Sequence, residues 1–342
     1  MSNLPDTYLR TLDDLHVSPL WDGPLARMLP GPRPMPGTVG KLWRYGEIRP
    51  QLDRAAELTT VEEAERRVLA LINPGFEGKP TYAATPNIYL GLQIIKPGEW
   101  APQHKHTPGA ARVIVEGEGA YTAVDGVKVP MSEGDVILTP PLHWHEHSHE
   151  GQGPMVWLDV LDIPVAVSSG ASLMHHGDRT ETFSNRPDTS ETLYRCAGLV
   201  PYRLMDEPRP DYPMMRFAWR KVREALVAIA EYAGPGEPIH MAYANPETGA
   251  SVLKPLNFSV RMLRPGEELR PRVTSASATL HVIEGSGQTE IDGETFDWDA
   301  KDNLAVPCYA EIRHVNTTSK PAFVLQVDDA PLLQKLGYFE AL

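Results

Sequence analysis

The feature that most restricts the folds open to this chain is an internal echo. Pro97-Gly98 returns as Pro265-Gly266, Val115-Glu116-Gly117 as Ile283-Glu284-Gly285, Asp125-Gly126 as Asp292-Gly293, and Asp135 with Pro140 as Asp302 with Pro307. The offset is 168 residues and falls to 167 after one deletion. Four groups of turn residues in the same order imply a duplicated unit whose turns were retained. Short runs rich in Val, Ile, Leu and Tyr lie between them, punctuated by the 33 prolines and 27 glycines. That rhythm belongs to an all-β sandwich or barrel, and 342 residues are enough for two cores.

The rest of the chain frames the two copies. Residues 1–86 read as a helical segment: in "TTVEEAERRVLALINPG", Thr60 and Glu63 have capping-box spacing, an amphipathic run follows, and Asn73-Pro74-Gly75 closes it. Residues 87–165 form the first β unit, 166–255 a connector with a helix near 216–233, and 256–342 the second β unit. The expected architecture is all-β with helical additions.

Composition narrows the function. A formal net charge of −13 without a long basic cluster argues against nucleic acid. Cys196 and Cys308 are too few for a disulfide framework or a thiolate metal site, and no run of ~18 apolar residues could cross a bilayer. A soluble cytoplasmic protein is expected. Histidine, with twelve copies, carries the chemistry.

Alternate residues of a strand share a face, so His104 and His106 in "HKH" can point into one interior. "LHWHEHSH" adds His143, His145, His147 and His149, again at period two. In "GEWAPQHKH" a glycine and five residues precede His-x-His; in "GDVILTPPLHWH" a glycine, five residues and a proline precede a histidine five further on. These stretches resemble the two motifs of the cupin family, which implies two β jelly-roll barrels, a bicupin, with His104, His106 and His145 as metal ligands. The carboxylate ligand common in cupins is replaced by Ala110 and Ala111. His143 and His149 are left as loop histidines and Asp162 as a turn or rim residue.

A three-histidine bicupin is similar to the gentisate 1,2-dioxygenase family. "IYLGLQ", "VEGEGAYTAVDG", "EGDVILTP", "WHEH" and "WLDVLDIP" carry that resemblance, together with Arg112. The resemblance implies one Fe(II) per chain, a small aromatic acid and O2 as substrates, and a homo-oligomer, often a tetramer. It further implies substrate-binding roles for Arg112, Gln93, Tyr89, Gly91 and Asp159, an acid–base role for His147, and a pocket closed by Trp21 and Arg67.

Three neutral imidazoles leave a dication its full charge and open positions, which suits chelation by the carboxylate and phenolate of a 2-hydroxybenzoate. Gentisate, opened between C1 and C2 to maleylpyruvate, is the first expectation. In "PGAARV", Ala111 and Val113 are smaller than the family's usual residues. That suggests a wider pocket and brings in salicylate, 5-nitrosalicylate or another 5-substituted salicylate, and 1-hydroxy-2-naphthoate.

The second copy has Arg272, Thr274 and Ile312 where the first has the three histidines, so it is expected to be metal-free and structural. A metal-dependent cupin isomerase or hydrolase and a non-catalytic ligand-binding cupin are the rival readings. Neither requires the set Gln93, Arg112 and His147.

Overall fold

A computed structural model describes residues 4–22, 37–78, 81–177 and 186–342. The unit Met1–Gly37 contains α1 (Asp6–Asp14), none of whose residues is buried. Thr38–Leu342 form a second unit. Its first part departs from the helical expectation. β1 (Lys41–Trp43) leads into α2 (Tyr45–Leu58), α3 (Val61–Ala64) is a single turn, and β2 (Val68–Ala70) follows. The Thr60–Glu63 capping box forms, but the helix it caps ends at once. Glu65 takes a left-handed φ of 56°, and the apolar residues after it pair with a barrel strand. α2 continues through Pro50.

The first copy comprises β3 (Tyr89–Ile95), β4 (Trp100–His106), β5 (Ala110–Glu116), β6 (Glu118–Val124), β7 (Val127–Ser132), β8 (Val136–Thr139), β9 (His145–His149) and β10 (Met155–Leu161). They make two antiparallel sheets, ordered β8-β5-β10-β3 and β4-β9-β6-β7. The second copy repeats this strand for strand. One sheet runs Asn303–Val306, Ala278–Glu284, Ala322–Asp328, Asn257–Leu263; the other runs Glu268–Leu269, Ile312–Val315, Gly287–Ile291, Glu294–Trp298. This is a bicupin, and even the irregularities match. Val115 is skipped in the register of β5 with β10, and Ile283 is skipped at the same place in the second copy. The retained glycines have a steric reason. Gly117 and Gly285 both have positive φ, and a Cβ would lie 2.6 Å from Pro154 O and 2.8 Å from the Ala322 Cα.

The flanking segments supply edge strands. β1 pairs with Asn303–Val306, β2 with β3, Met174–His176 with β4, Arg216–Phe217 with β8, and Ile239–Tyr243 with Asn257–Leu263. Covering edges in this way removes sites for unwanted strand pairing. The connector helix runs Trp219–Ala230.

Two helices tie the barrels together in a reciprocal arrangement. Asp302 of the second barrel accepts the Tyr45 backbone N–H at the start of α2 (2.8 Å), while Tyr45 Oη donates to Glu116 of the first barrel (2.7 Å), joined by Arg49. Asp135 of the first barrel accepts the Trp219 N–H (2.9 Å), while Trp219 Nε1 donates to Glu284 of the second (2.7 Å), joined by Arg223. The repeated Asp and Glu of the sequence thus each hold a helix end. The largest apolar cluster joins both barrels to these helices, with Leu52, Leu226, Phe258 and Phe323 among its members.

Candidate active site

The site lies inside the first barrel, where β4 and β9 pair with His104 opposite His145. Period-two alternation turns Lys105 outward, its Nζ 4.8 Å from the Trp144 ring centroid, while His104 and His106 face inward. One ring nitrogen from each of His104, His106 and His145 lies within 4.8 Å of the others. The ring centroids are 5.3 Å apart for His104 and His106, 4.0 Å for His104 and His145, and 4.8 Å for His106 and His145.

Nδ1 of His106 is 2.8 Å from Pro108 O, and Nδ1 of His145 is 3.0 Å from His143 O. A carbonyl only accepts, so each Nδ1 carries its proton and each Nε2 offers a lone pair. His145 Nε2 is buried and has no hydrogen-bond partner, a costly state that a metal ion would relieve. His104 is contested. Its Nδ1 is 3.3 Å from Pro102 O but also meets the Arg66 guanidinium, which can only donate. Ligation through Nε2 requires Nδ1 to carry the proton, and therefore requires Arg66 to turn to another acceptor. Burial lowers the pKa of all three histidines, that of His106 to about 4, with Arg112 adding to the effect on each and Arg66 on His104 and His106. They are neutral at neutral pH, the form that binds metal.

His147, next but one on β9, is buried beside the triad, its ring centroid 5.9 Å from that of His145. Its Nδ1 is 2.9 Å from Thr122 Oγ1, and its Nε2 is buried without a partner. Burial, then Arg112, holds it well below the usual imidazole range. Arg112 and Asp159 are opposed on β5 and β10, with Nε 3.3 Å from Oδ1. The Arg112 guanidinium also meets Thr139, and Trp157 Nε1 donates to Asp159 (3.0 Å). Gly91 faces Asp159 across the sheet. A Cβ there would stand 2.7 Å from Tyr89 Oη and 2.5 Å from Val68, so the absent side chain is what lets the Tyr89 ring lie over the strand. Gln93, on β3, is buried opposite Trp157 of β10.

The other singled-out residues have surroundings of their own. Arg67 is buried and bonds Glu99 and the carbonyls of Ala56 and Thr59, bracing α2; Arg66, which the sequence reading passed over, is the one that reaches His104. Trp21 is exposed and belongs to the Met1–Gly37 unit. Ala111 and Val113 lie in the cluster between the barrels, on the face of β5 opposite Arg112, so their small size does not widen the pocket. His149 is no solvated loop residue: it is buried, and its Nε2 lies 2.6 Å from Gly153 O. Asp162 precedes the helix Ile163–Ser168, and burial raises its carboxyl to about 6.

Two jelly rolls with three convergent imidazoles in one of them define a cupin whose triad fits a metal ion, and residues 91–161 match the cupin domain model. The chain is 43% identical to a gentisate 1,2-dioxygenase of Ralstonia sp over 99% of its length and 95% of that protein. It is 33% identical to a 5-aminosalicylate 1,2-dioxygenase of Comamonas sp, covering 98% of this chain and 91% of that one. The solved salicylate 1,2-dioxygenase of Pseudaminobacter salicylatoxidans superposes with a TM-score of 0.90 at 28% identity, covering 100% and 99% of the two chains. The chain belongs to the gentisate 1,2-dioxygenase family and is a ring-cleaving 1,2-dioxygenase. Among the described residues no helix is long and apolar enough to cross a membrane.

Proposed function

We propose that this enzyme opens gentisate between C1 and C2 with O2, using one Fe(II) held by His104, His106 and His145. The observation that carries this reading is the convergence of three neutral imidazoles, with His145 Nε2 buried and unpartnered. Iron(II) would supply a Lewis-acidic, redox-active centre that chelates the substrate's carboxylate and phenolate and activates O2; zinc accepts the same ligands but has no such redox chemistry.

The protein's own groups account for orientation. Arg112, held by Asp159 and Thr139, presents a planar guanidinium suited to a carboxylate. Tyr89 and Gln93 would wall the ring, with Gly91 leaving room for the Tyr89 side chain. His147 has its Nδ1 engaged by Thr122, leaving Nε2 as the group that accepts or returns the phenolic proton. Burial of these groups keeps water from the reacting atoms.

The test is oxygen uptake after anaerobic loading with Fe(II), with gentisate, salicylate, 5-nitrosalicylate and 1-hydroxy-2-naphthoate compared side by side. Gentisate should be consumed fastest, one O2 per ring. Faster consumption of another member of the panel would replace gentisate as substrate, and no uptake with any would refute the reading.

A further inference from the structure

The second barrel has lost the histidines but not the hollow they would occupy. A cavity of about 440 Å3 opens within it, a volume typical of small-molecule sites, and Arg272, Thr274 and Ile312 line it at the places of His104, His106 and His145. On its wall is Arg261, at the repeat position of Gln93, so Arg112 in the first barrel and Arg261 in the second are buried arginines on different strands. Its guanidinium is buried. Nη1 donates to His314 Nε2 (3.1 Å) and Nη2 to Gln326 Oε1 (3.3 Å), both neutral acceptors.

The His314 end of this contact is fixed in turn. A guanidinium only donates, so His314 Nε2 accepts, and Nδ1 gives its proton to Thr289 Oγ1 at 2.9 Å, which Trp298 Nε1 also contacts. Asp328 shares the cavity wall, but its Oδ2 accepts from Asn257 and Gln326 and its Oδ1 from the Ala330 N–H. His240, the other titratable group beside Arg261, is neutral at neutral pH and bonds Ser259. Among the described residues no carboxylate lies within 4.0 Å of Arg261. Asp328 attracts Arg261 without touching it, so the buried guanidinium has no anion in contact, and a carboxylate admitted to the cavity would supply one.

We propose that the second barrel binds a small organic carboxylate, its carboxylate on Arg261 and its apolar body against Ala278, Val306 and Ile312. The apolar walls favour an organic acid over an inorganic anion, and Arg270 and Arg272 also line the cavity and would draw anions to it. This site is separate from the catalytic barrel and does not depend on the substrate assigned there.

Equilibrium dialysis of benzoate against the iron-loaded enzyme under argon tests it. Arg261→Met and Ile312→Trp, the second filling the cavity while keeping the arginine, should each bind one benzoate fewer per chain than the parent. Any benzoate held by the first barrel is common to all three proteins, and a cooperative melt of each establishes that it is folded. Inorganic phosphate at equal concentration should leave that benzoate in place. Equal benzoate counts in the three folded proteins would overturn the proposal, and so would displacement by phosphate.

Discussion

Arg112 and Asp159 stand opposite each other on neighbouring strands, both buried, with Nε 3.3 Å from Oδ1. Asp159 therefore balances the cation that is proposed to receive the substrate. Replacing it by alanine leaves the guanidinium without its counter-charge, a change that costs about 3–5 kcal/mol when one partner of a buried pair is removed. An anionic substrate would restore the balance. Asp159→Ala should melt well below the parent, and gentisate added under argon should raise its Tm by more than it raises the parent's. Equal ligand-induced rises would separate Asp159 from substrate binding.

The three histidines proposed as ligands and His147 should part company on substitution. His104→Ala, His106→Ala and His145→Ala each remove one of three imidazoles, and metal analysis after dialysis should find less than a tenth of the parent's iron. His147→Ala leaves the triad whole, so iron should remain while turnover drops by about 10²- to 10⁴-fold, the usual contribution of a positioned acid–base group. Full iron content in His145→Ala would reject the ligand assignment.

The duplicated framework was legible because its signals are local. Asp125-Gly126 and Asp292-Gly293 take the paired positive φ angles that a tight hairpin demands, and strand periodicity alone put His104 and His106 on one face. What escaped was set by distant partners. Nothing near Tyr45 in sequence announces that Asp302 will cap its N–H. The Ala111 misreading came from comparing sizes without asking which face each residue occupies. Arg66 and Arg67 are adjacent just past the left-handed turn at Glu65, yet Arg66 meets His104 while Arg67 meets Glu99.

The inter-barrel helices give a coupling that can be measured. Asp302 and Glu116 belong to different barrels yet both hold Tyr45, one through its backbone N–H and the other through its hydroxyl. Asp302→Ala removes the acceptor at the start of α2 and should cost about 0.5–2 kcal/mol. Glu116→Ala strands Tyr45 Oη and loosens Arg49, a loss of about 1–3 kcal/mol. Because both act on one residue, the double variant should fall short of the sum by about 0.5 kcal/mol or more in denaturant titrations. Strict additivity would mean that α2 is not held as one body between the barrels.

Acid should loosen the second barrel through His281. Its ring is buried, with Nδ1 2.9 Å from Asn303 Oδ1, and burial holds its pKa at about 4 against the Asn303 hydrogen bond, which works the other way. The unfolded chain takes up that proton near 6.5, whereas the native protein stays neutral until about 4. Between those values the unfolded state binds more protons, so stability is full above about 6.5 and declines as pH falls, by ~3 kcal/mol for this residue by pH 4. His281→Gln retains a donor for Asn303 and removes the titration. Its unfolding free energy, measured by urea titration from pH 7 to 4, should fall less steeply than the parent's by about that amount, and parallel pH profiles would show that His281 does not govern the acid loss.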